Sequence, residues 1–307
     1  PFLREIHASI GTKDGLIEAD YVLGLRMCGP ACQAPNFPPA SRVAECSVED
    51  LLVDTASHNQ SNIDMVGPSG DDALDHESWA KTNTEFINGS LGGPYPDVSF
   101  VKMQLFRLLP RKAIWEQHGG ATEPSVRNID DMLVGGENAC VTYMQSHRPV
   151  TLSSLSAQLR ATEAAAPGKR LLGFPSDYKG AYRQVAACPH QIRLCVLCIF
   201  NPEIRKKIFA KSRGQLFGGS SAPLNFSRYP DDAAEMCAIL FAIIFLQCID
   251  DLLGQEPEES ADWAYVMWRI FASLIGWDIP NDKSPLPAAA LRALGAIITY
   301  GDASSTN

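Results

Sequence analysis

The chain lacks the marks of a secreted or membrane-spanning protein. No basic segment followed by an apolar core opens it, which argues against a signal peptide. Its longest apolar run, Met236 to Ile249, is broken only by Gln247 and falls short of the roughly 20 residues a membrane-crossing helix needs. Internal repeats and low-complexity tracts are absent, which excludes solenoid and fibrous architectures. The nine cysteines are an odd number without disulfide-framework spacing. Two close pairs, Cys28/Cys32 and Cys195/Cys198, could suggest a metal, since a structural zinc site normally takes two such pairs or a pair plus histidines. Cys195 and Cys198 lie in the strand-like "RLCVLCIF" and are expected to be buried free thiols, as in a reducing compartment. The first residue is Pro1 rather than Met, so a processed chain or excised segment is expected. With 307 residues, 46% of them apolar and 20% charged, the chain has the composition of a globular protein. A soluble intracellular protein, cytoplasmic or nuclear and without a membrane partner, is the expectation.

A net charge of −9 argues at first against a nucleic-acid partner, but the charge is unevenly spread. Residues 1–100 hold 5 Lys/Arg against 15 Asp/Glu, residues 101–215 hold 17 against 8, and residues 216–307 hold 4 against 12. The middle third is thus +9, between segments of −10 and −8. That asymmetry suits a basic surface facing phosphates beside an acidic site; a solvated face with no partner is the plain alternative.

Residues 1–80 show weak periodicity and many breakers, as in "MVGPSGDDALDHES", and read as a loosely structured extension or helical cap. "NGSLGGPYPDVSF" (88–100) reads as a turn-rich boundary, and "HGGATEPSVRNIDDM" as a hairpin feeding a strand. Thr151 caps a helix that Pro167-Gly168 stops. "KRLLGFPSD" (169–177) predicts a buried strand ending at Asp177, and "IRLCVLCIFNP" and "KKIFAKSR" predict two strands joined by a charged turn. The segment from Ser221 is helical in its second half, and "FLQCID" is a short buried strand. Trp263, Val266, Met267, Ile270, Phe271, Leu274 and Ile275 follow helical spacing and predict an amphipathic helix closed by Gly276. Strands interleaved with helices point to an α+β layer fold.

Asp177, Asp250 and Asp251 each follow an apolar strand. Two adjacent buried carboxylates oppose each other's ionisation unless a cation compensates them. Carboxylates converging from neighbouring strands hold Mg²⁺ through hard oxygen ligands, and two such ions stabilise the attacking and leaving oxygens of a phosphoryl displacement. An isolated "DD" is more often an exposed turn, so the neighbouring segments decide.

"DYKGAYRQV" (177–185), "GQLFGGSSAPLNFSR" (214–228), "CIDD" (248–251) and "WDIPNDKSPLP" with "LGAI" (277–297) resemble, in order and spacing, the palm motifs of reverse transcriptases. "GSLGGPY" and "VRNIDDMLVGGEN" look like the fingers of retrotransposon enzymes, especially the DIRS-like kind of protist genomes. The resemblance covers roughly residues 85 to 298. It implies a right-hand polymerase fold, with an antiparallel palm sheet packed on helices. Residues 1–84 are then a poorly defined N-terminal extension, 85–166 a fingers-like region, 167–300 the palm and 301–307 a tail. The implied activity is RNA-directed DNA polymerase, acting on an RNA or DNA template with a primer and on dNTPs.

On this resemblance Asp177, Asp250 and Asp251 are the catalytic carboxylates. They would hold two Mg²⁺ (or Mn²⁺) ions, with the Tyr178 carbonyl as an extra ligand. Tyr182 falls where an aromatic ring excludes a 2′-hydroxyl, which favours deoxynucleotides over an RNA polymerase's substrates. The backbone at Gln215 and Gly218 flanks the incoming nucleotide and template base. Arg127 and Lys283 face the triphosphate, where positive charge offsets that developing on phosphoryl oxygens. Plainer roles are a core aromatic for Tyr182, a turn for Gly218, a surface pair with Asp130 or Asp131 for Arg127, and an ordinary post-turn lysine for Lys283. Cys248 stands where the family has an aromatic, Leu216 where it has proline, and the fingers hairpin lacks a frequent lysine. "YGDASSTN" faintly resembles an RNase H strand. These departures support a second expectation, a catalytically degraded retroelement-derived protein that binds nucleic acid or a partner.

Overall fold

The computed structural model describes residues 2–31, 33–35, 37–102, 105–117, 123–147, 150–293 and 296–300. Cys32, the Leu294-Gly295 turn and the tail 301–307, named in the sequence expectations, lie outside them. The N-terminal part carries α1 (Phe2–Ile10), α2 (Ile17–Leu23), the short strands β1 (Gly29–Pro30) and β2 (Pro39–Arg42), and the helices α3 (Val48–Leu51), α4 (Thr55–Met65) and α5 (Asp72–Ile87). Of the two readings offered for residues 1–80, the helical one describes this segment. Ile17 and Leu25 sit in the same buried cluster as Phe226, Tyr229 and Trp268, so it is packed rather than loose. Its periodicity is weak because each helix buries few residues: α2 only Ile17, and α5 only Leu74, Trp79 and Thr82.

A five-stranded sheet runs in the order β3-β9-β8-β4-β5, with β3 (Leu91–Tyr95), β4 (Leu108–Glu116), β5 (Ser125–Asp130), β8 (Val196–Asn201) and β9 (Lys206–Ser212). In β8, Val196 to Ile199 are all buried, the unbroken apolar run of a strand covered on both faces. The β8–β9 hairpin matches the two strands expected, and Cys195 and Cys198 are buried free thiols as expected. The "turn-rich boundary" at 88–100 contains β3, which pairs antiparallel with β9. Because β8 and β9 share a sheet with β4 and β5, the expected division at residue 166 runs through a sheet rather than between two. A smaller sheet, β1-β6-β2, is completed by β6 (Val141–Gln145), which the short helix α6 (Met132–Gly135) precedes.

The second large unit is the antiparallel sheet β10-β11-β7, formed by β7 (Leu171–Asp177), β10 (Phe245–Cys248) and β11 (Asp251–Pro257). Successive strand residues face opposite sides, and both sides are covered. Phe174 and Leu252 join a cluster with Phe226, Trp268 and Phe271, from α9 (Ala222–Phe241) and α10 (Glu258–Leu274). Leu171 and Leu253 face the other way, against Leu155 of α7 (Leu152–Ala165) and Ile298 of β13 (Ala296–Thr299). The hairpin β12 (Ala290–Ala293) and β13 (Ala296–Thr299) pairs on either side of the expected Leu-Gly turn. Thr151 caps α7, accepting from the Ser154 amide.

Three element expectations need correction. α9 is helical from Ala222, not only in its second half. Proline is tolerated at its first turn, and a run buried from Leu224 to Pro230 outweighs the cost of Pro230 inside. β10 is half-buried, not buried. α10 exists with Gly276 beyond its end, but it faces the core with Ala261, Ala264, Trp268, Phe271 and Ala272. Trp263, Val266, Ile270 and Leu274 are at least half exposed. The alanines let the helix axis approach the sheet closely, and Trp268 fills the remaining space, so small residues that carry little hydrophobic signal mark the buried face. Among the described residues no helix is long and apolar enough to cross a membrane.

Candidate functional site

Asp177 ends β7, and Asp251 begins β11 directly opposite it in the antiparallel register. Between Cys248 and Asp251, which also face each other, Ile249 and Asp250 make the tight turn of the β10–β11 hairpin, with Ile249 at φ 57°. The strand pairing thus delivers all three aspartates to one end of one sheet. Like charges placed opposite each other across strands repel, and the titration behaviour reflects this. Burial pushes Asp251 up to about 6, with the charges of Asp250 and Asp177 adding to it. Asp250 is also raised, first by burial and then by Asp177. Lys283 Nζ donates to Asp177 Oδ2 at 2.7 Å, and that contact raises the ammonium.

Tyr182 stands on the short helix α8 (Ala181–Gln184), one turn beyond Asp177. Its ring lies 4.8 Å from that of Phe217 and 5.5 Å from that of Phe226. Burial pushes its hydroxyl up to about 12; the Asp250 charge adds to this and Arg127 opposes it. Arg127, on β5, also pulls Asp250 down, so the guanidinium is within electrostatic reach of the acidic end. Its Nε is 2.8 Å from Glu116 Oε2, and not on Asp130 or Asp131 as the surface-pair alternative supposed. Asp131 pairs with Lys112 and Asp130 points inward.

Asp130 belongs to a buried ionic network that the sequence reading missed. Its carboxylate accepts from Arg111 Nε at 2.8 Å and from Arg183 Nη2 at 2.5 Å, while Glu85 accepts from both arginines. Burial opposes its charge, but Arg111 and Arg183 hold the carboxyl below its ordinary range. Arg183 directly follows Tyr182 in the chain, so this network ties the tyrosine's helix to β4, β5 and α5. The one available signal was Arg111, two residues from buried Leu109 on the same strand face, where an arginine requires an acidic partner.

Gly218 has φ 104°, and a Cβ there would stand 2.5 Å from the Asp130 carbonyl oxygen; the close approach requires glycine. The loop is held by Asn138, whose Nδ2 donates to the Gly218 carbonyl at 2.9 Å and whose Oδ1 accepts from the Ser220 amide at 2.7 Å. Gln215 is fully buried and its Nε2 donates to the Leu25 carbonyl at 3.0 Å, so its side chain serves the interior. The Tyr178 ring is buried between Phe226, Trp268 and Trp277. The structure therefore gathers Asp177, Asp250, Asp251, Lys283, Arg127 and Tyr182, and directs the side chains of Tyr178 and Gln215 inward.

For Mg²⁺ the donor chemistry fits, with three carboxylates at one sheet end, of which Asp250 and Asp251 are raised by burial and by their acidic neighbours. The side-chain arrangement does not form a cage: among the described residues no group of three or more His, Cys, Asp or Glu is drawn together around one point, and Asp177 is engaged by Lys283. No protein-family model matches the chain, and no curated protein is significantly similar to it.

Proposed function

We propose that the chain is the fingers and palm of a retroelement reverse transcriptase, transferring a deoxynucleotide to a primer 3′-hydroxyl on an RNA or DNA template. The supporting observation is the register that sets Asp251 opposite Asp177 with Asp250 in the adjoining turn. Asp177, Asp250 and Asp251 would hold two divalent ions, which when bound supply a more acidic 3′-hydroxyl and charge neutralisation on the pyrophosphate leaving group. Lys283 releases Asp177 to do so and, with Arg127, provides positive charge for the triphosphate. Tyr182, braced by Phe217 and Phe226, excludes a ribose 2′-hydroxyl. The exposed basic residues of 101–215, among them Lys179, Arg205, Lys206 and Arg213, contact template and primer phosphates, so binding weakens with salt.

Primer extension on an RNA template with Mg²⁺ and dNTPs tests this, wild type against Asp250→Asn. Extension lost in the variant is the expected result; extension equal in both overturns the assignment. A second reading, a nucleic-acid-binding relative without activity, is favoured by one observation, the Lys283–Asp177 ion pair at 2.7 Å in place of a metal cage. Template binding by the wild type with no incorporation under any divalent ion supports that reading instead.

A further inference from the structure

Outside the acidic sheet end, Cys46 and Cys140 bring their sulfurs to 2.8 Å although 94 residues separate them in the chain. Both are free thiols. Unbonded sulfurs ordinarily stand further apart, and the bonded distance is about 2.05 Å. The backbones carrying them run side by side: the Glu45 amide donates to the Ala139 carbonyl at 2.8 Å, and the Ala44 amide to Thr142 Oγ1 at 3.0 Å. Cys140 is buried and Cys46 half-buried, so an oxidant reaches Cys46 first. No other pair of thiols is recorded in sulfur–sulfur contact among the described residues, although Cys28 lies nearby, its Sγ donating to the Glu137 carbonyl at 3.7 Å.

We propose that Cys46 and Cys140 are a redox-active dithiol that closes to an intramolecular disulfide in exchange with a low-molecular-weight disulfide such as oxidised glutathione. The Cys46 thiolate attacks one sulfur of the oxidant, forming a mixed disulfide and expelling one thiolate. Cys140, deprotonated as it attacks, then displaces the second thiolate from the Cys46 sulfur. Two thiols of the chain are oxidised and one disulfide is reduced to two thiols; the two protons end on the released thiols. Burial pushes Cys140 up to about 12, with the contact to Cys46 adding to it, which suits it to the second step rather than the first. The bond would fasten the segment before α3 to the Glu137–Cys140 turn, the turn whose Asn138 holds the Gly218 loop. The assignment does not depend on the polymerase reading.

Peptide mapping of the whole chain, equilibrated in reduced/oxidised glutathione mixtures, alkylated and digested with trypsin, provides the test. The fragments 43–81 and 128–160 each hold one cysteine, Cys46 and Cys140, whereas 27–42 holds Cys28 and Cys32. The expected product is a linked species of 43–81 with 128–160, two mass units below the sum of the reduced peptides, abolished by Cys46→Ser and kept in Cys188→Ser. The proposal is overturned if both thiols stay alkylatable at the most oxidising ratio, if Cys46 stops at a glutathione adduct, or if either fragment links to 27–42. The wild-type map alone decides the matter should Cys46→Ser fail to fold.

Discussion

Asp251 faces Asp177 across the β11–β7 ladder while Lys283 holds Asp177 at 2.7 Å, so among the described residues the direct ion pair at this acidic end falls to Asp177. Asp251, raised to about 6 by burial and then by Asp250 and Asp177, is the carboxyl left most in need of compensation. A carboxyl raised in the folded state takes up protons on folding, so its ionisation destabilises the fold as pH rises from about 3.8 towards about 6. Bound Mg²⁺ reverses that effect because it needs the ionised form. Thermal melts with and without millimolar Mg²⁺ should show little metal-induced rise in Tm at pH 5 and a clear rise at pH 7.5. In Asp251→Asn the rise should be small at both. A rise as large at pH 5 as at pH 7.5 contradicts this account.

Lys283 competes with any divalent ion for Asp177. Removing it in Lys283→Ala should tighten Mg²⁺ binding, by a few-fold given the half-exposed lysine and the modest worth of such pairs. On the proposed function the same variant should raise KM for dNTP, because positive charge near the triphosphate is lost. Metal titration by calorimetry separates the effects. Weaker Mg²⁺ binding in the variant would show that the lysine supports the carboxylates rather than competing with them.

The sequence exposed Asp177 because β7 is a largely apolar run bounded by charge, a signal that survives without tertiary information. Asp250 and Asp251 were found through their neighbours' pattern, not through their own. The Asp130–Arg183 contact spans 53 residues, and the Cys46–Cys140 contact 94; pairings of that range depend on how layers stack and leave no local periodicity. The buried face of α10 escaped for a different reason, since alanines at Ala261, Ala264 and Ala272 score weakly as hydrophobic yet set the closest approach. The N-terminal helices were obscured because each contributes so few residues to the shared core.

Asp130 carries the charge that two buried arginines, Arg111 and Arg183, share with Glu85. Asp130→Asn keeps the shape and removes the charge, leaving a buried cation under-compensated, which costs on the order of 3–5 kcal/mol. Urea unfolding with linear extrapolation measures it. On the proposed function, because Arg183 adjoins Tyr182, the variant should also discriminate less sharply between dNTP and rNTP. A loss of stability under about 1 kcal/mol would mean that the network is already open to solvent.

Glu137 is fully buried, and among the described residues neither carboxylate oxygen accepts a hydrogen bond from another residue. Burial pushes it up to about 8, with Arg107 pulling the other way, so at neutral pH the group is mostly protonated. The folded chain therefore holds a proton that the unfolded chain releases above about 4.5, and stability falls as pH rises between those values, by at most about 1.4 kcal/mol per pH unit. Glu137→Gln presents a neutral side chain of the same size at every pH. The difference in unfolding free energy between variant and wild type should thus grow in the variant's favour from pH 5 to pH 8, measured by urea denaturation at unit intervals. A difference that stays flat across that range would place an ionised, compensated carboxylate at Glu137, with the Arg107 guanidinium as the nearest charge able to provide that compensation.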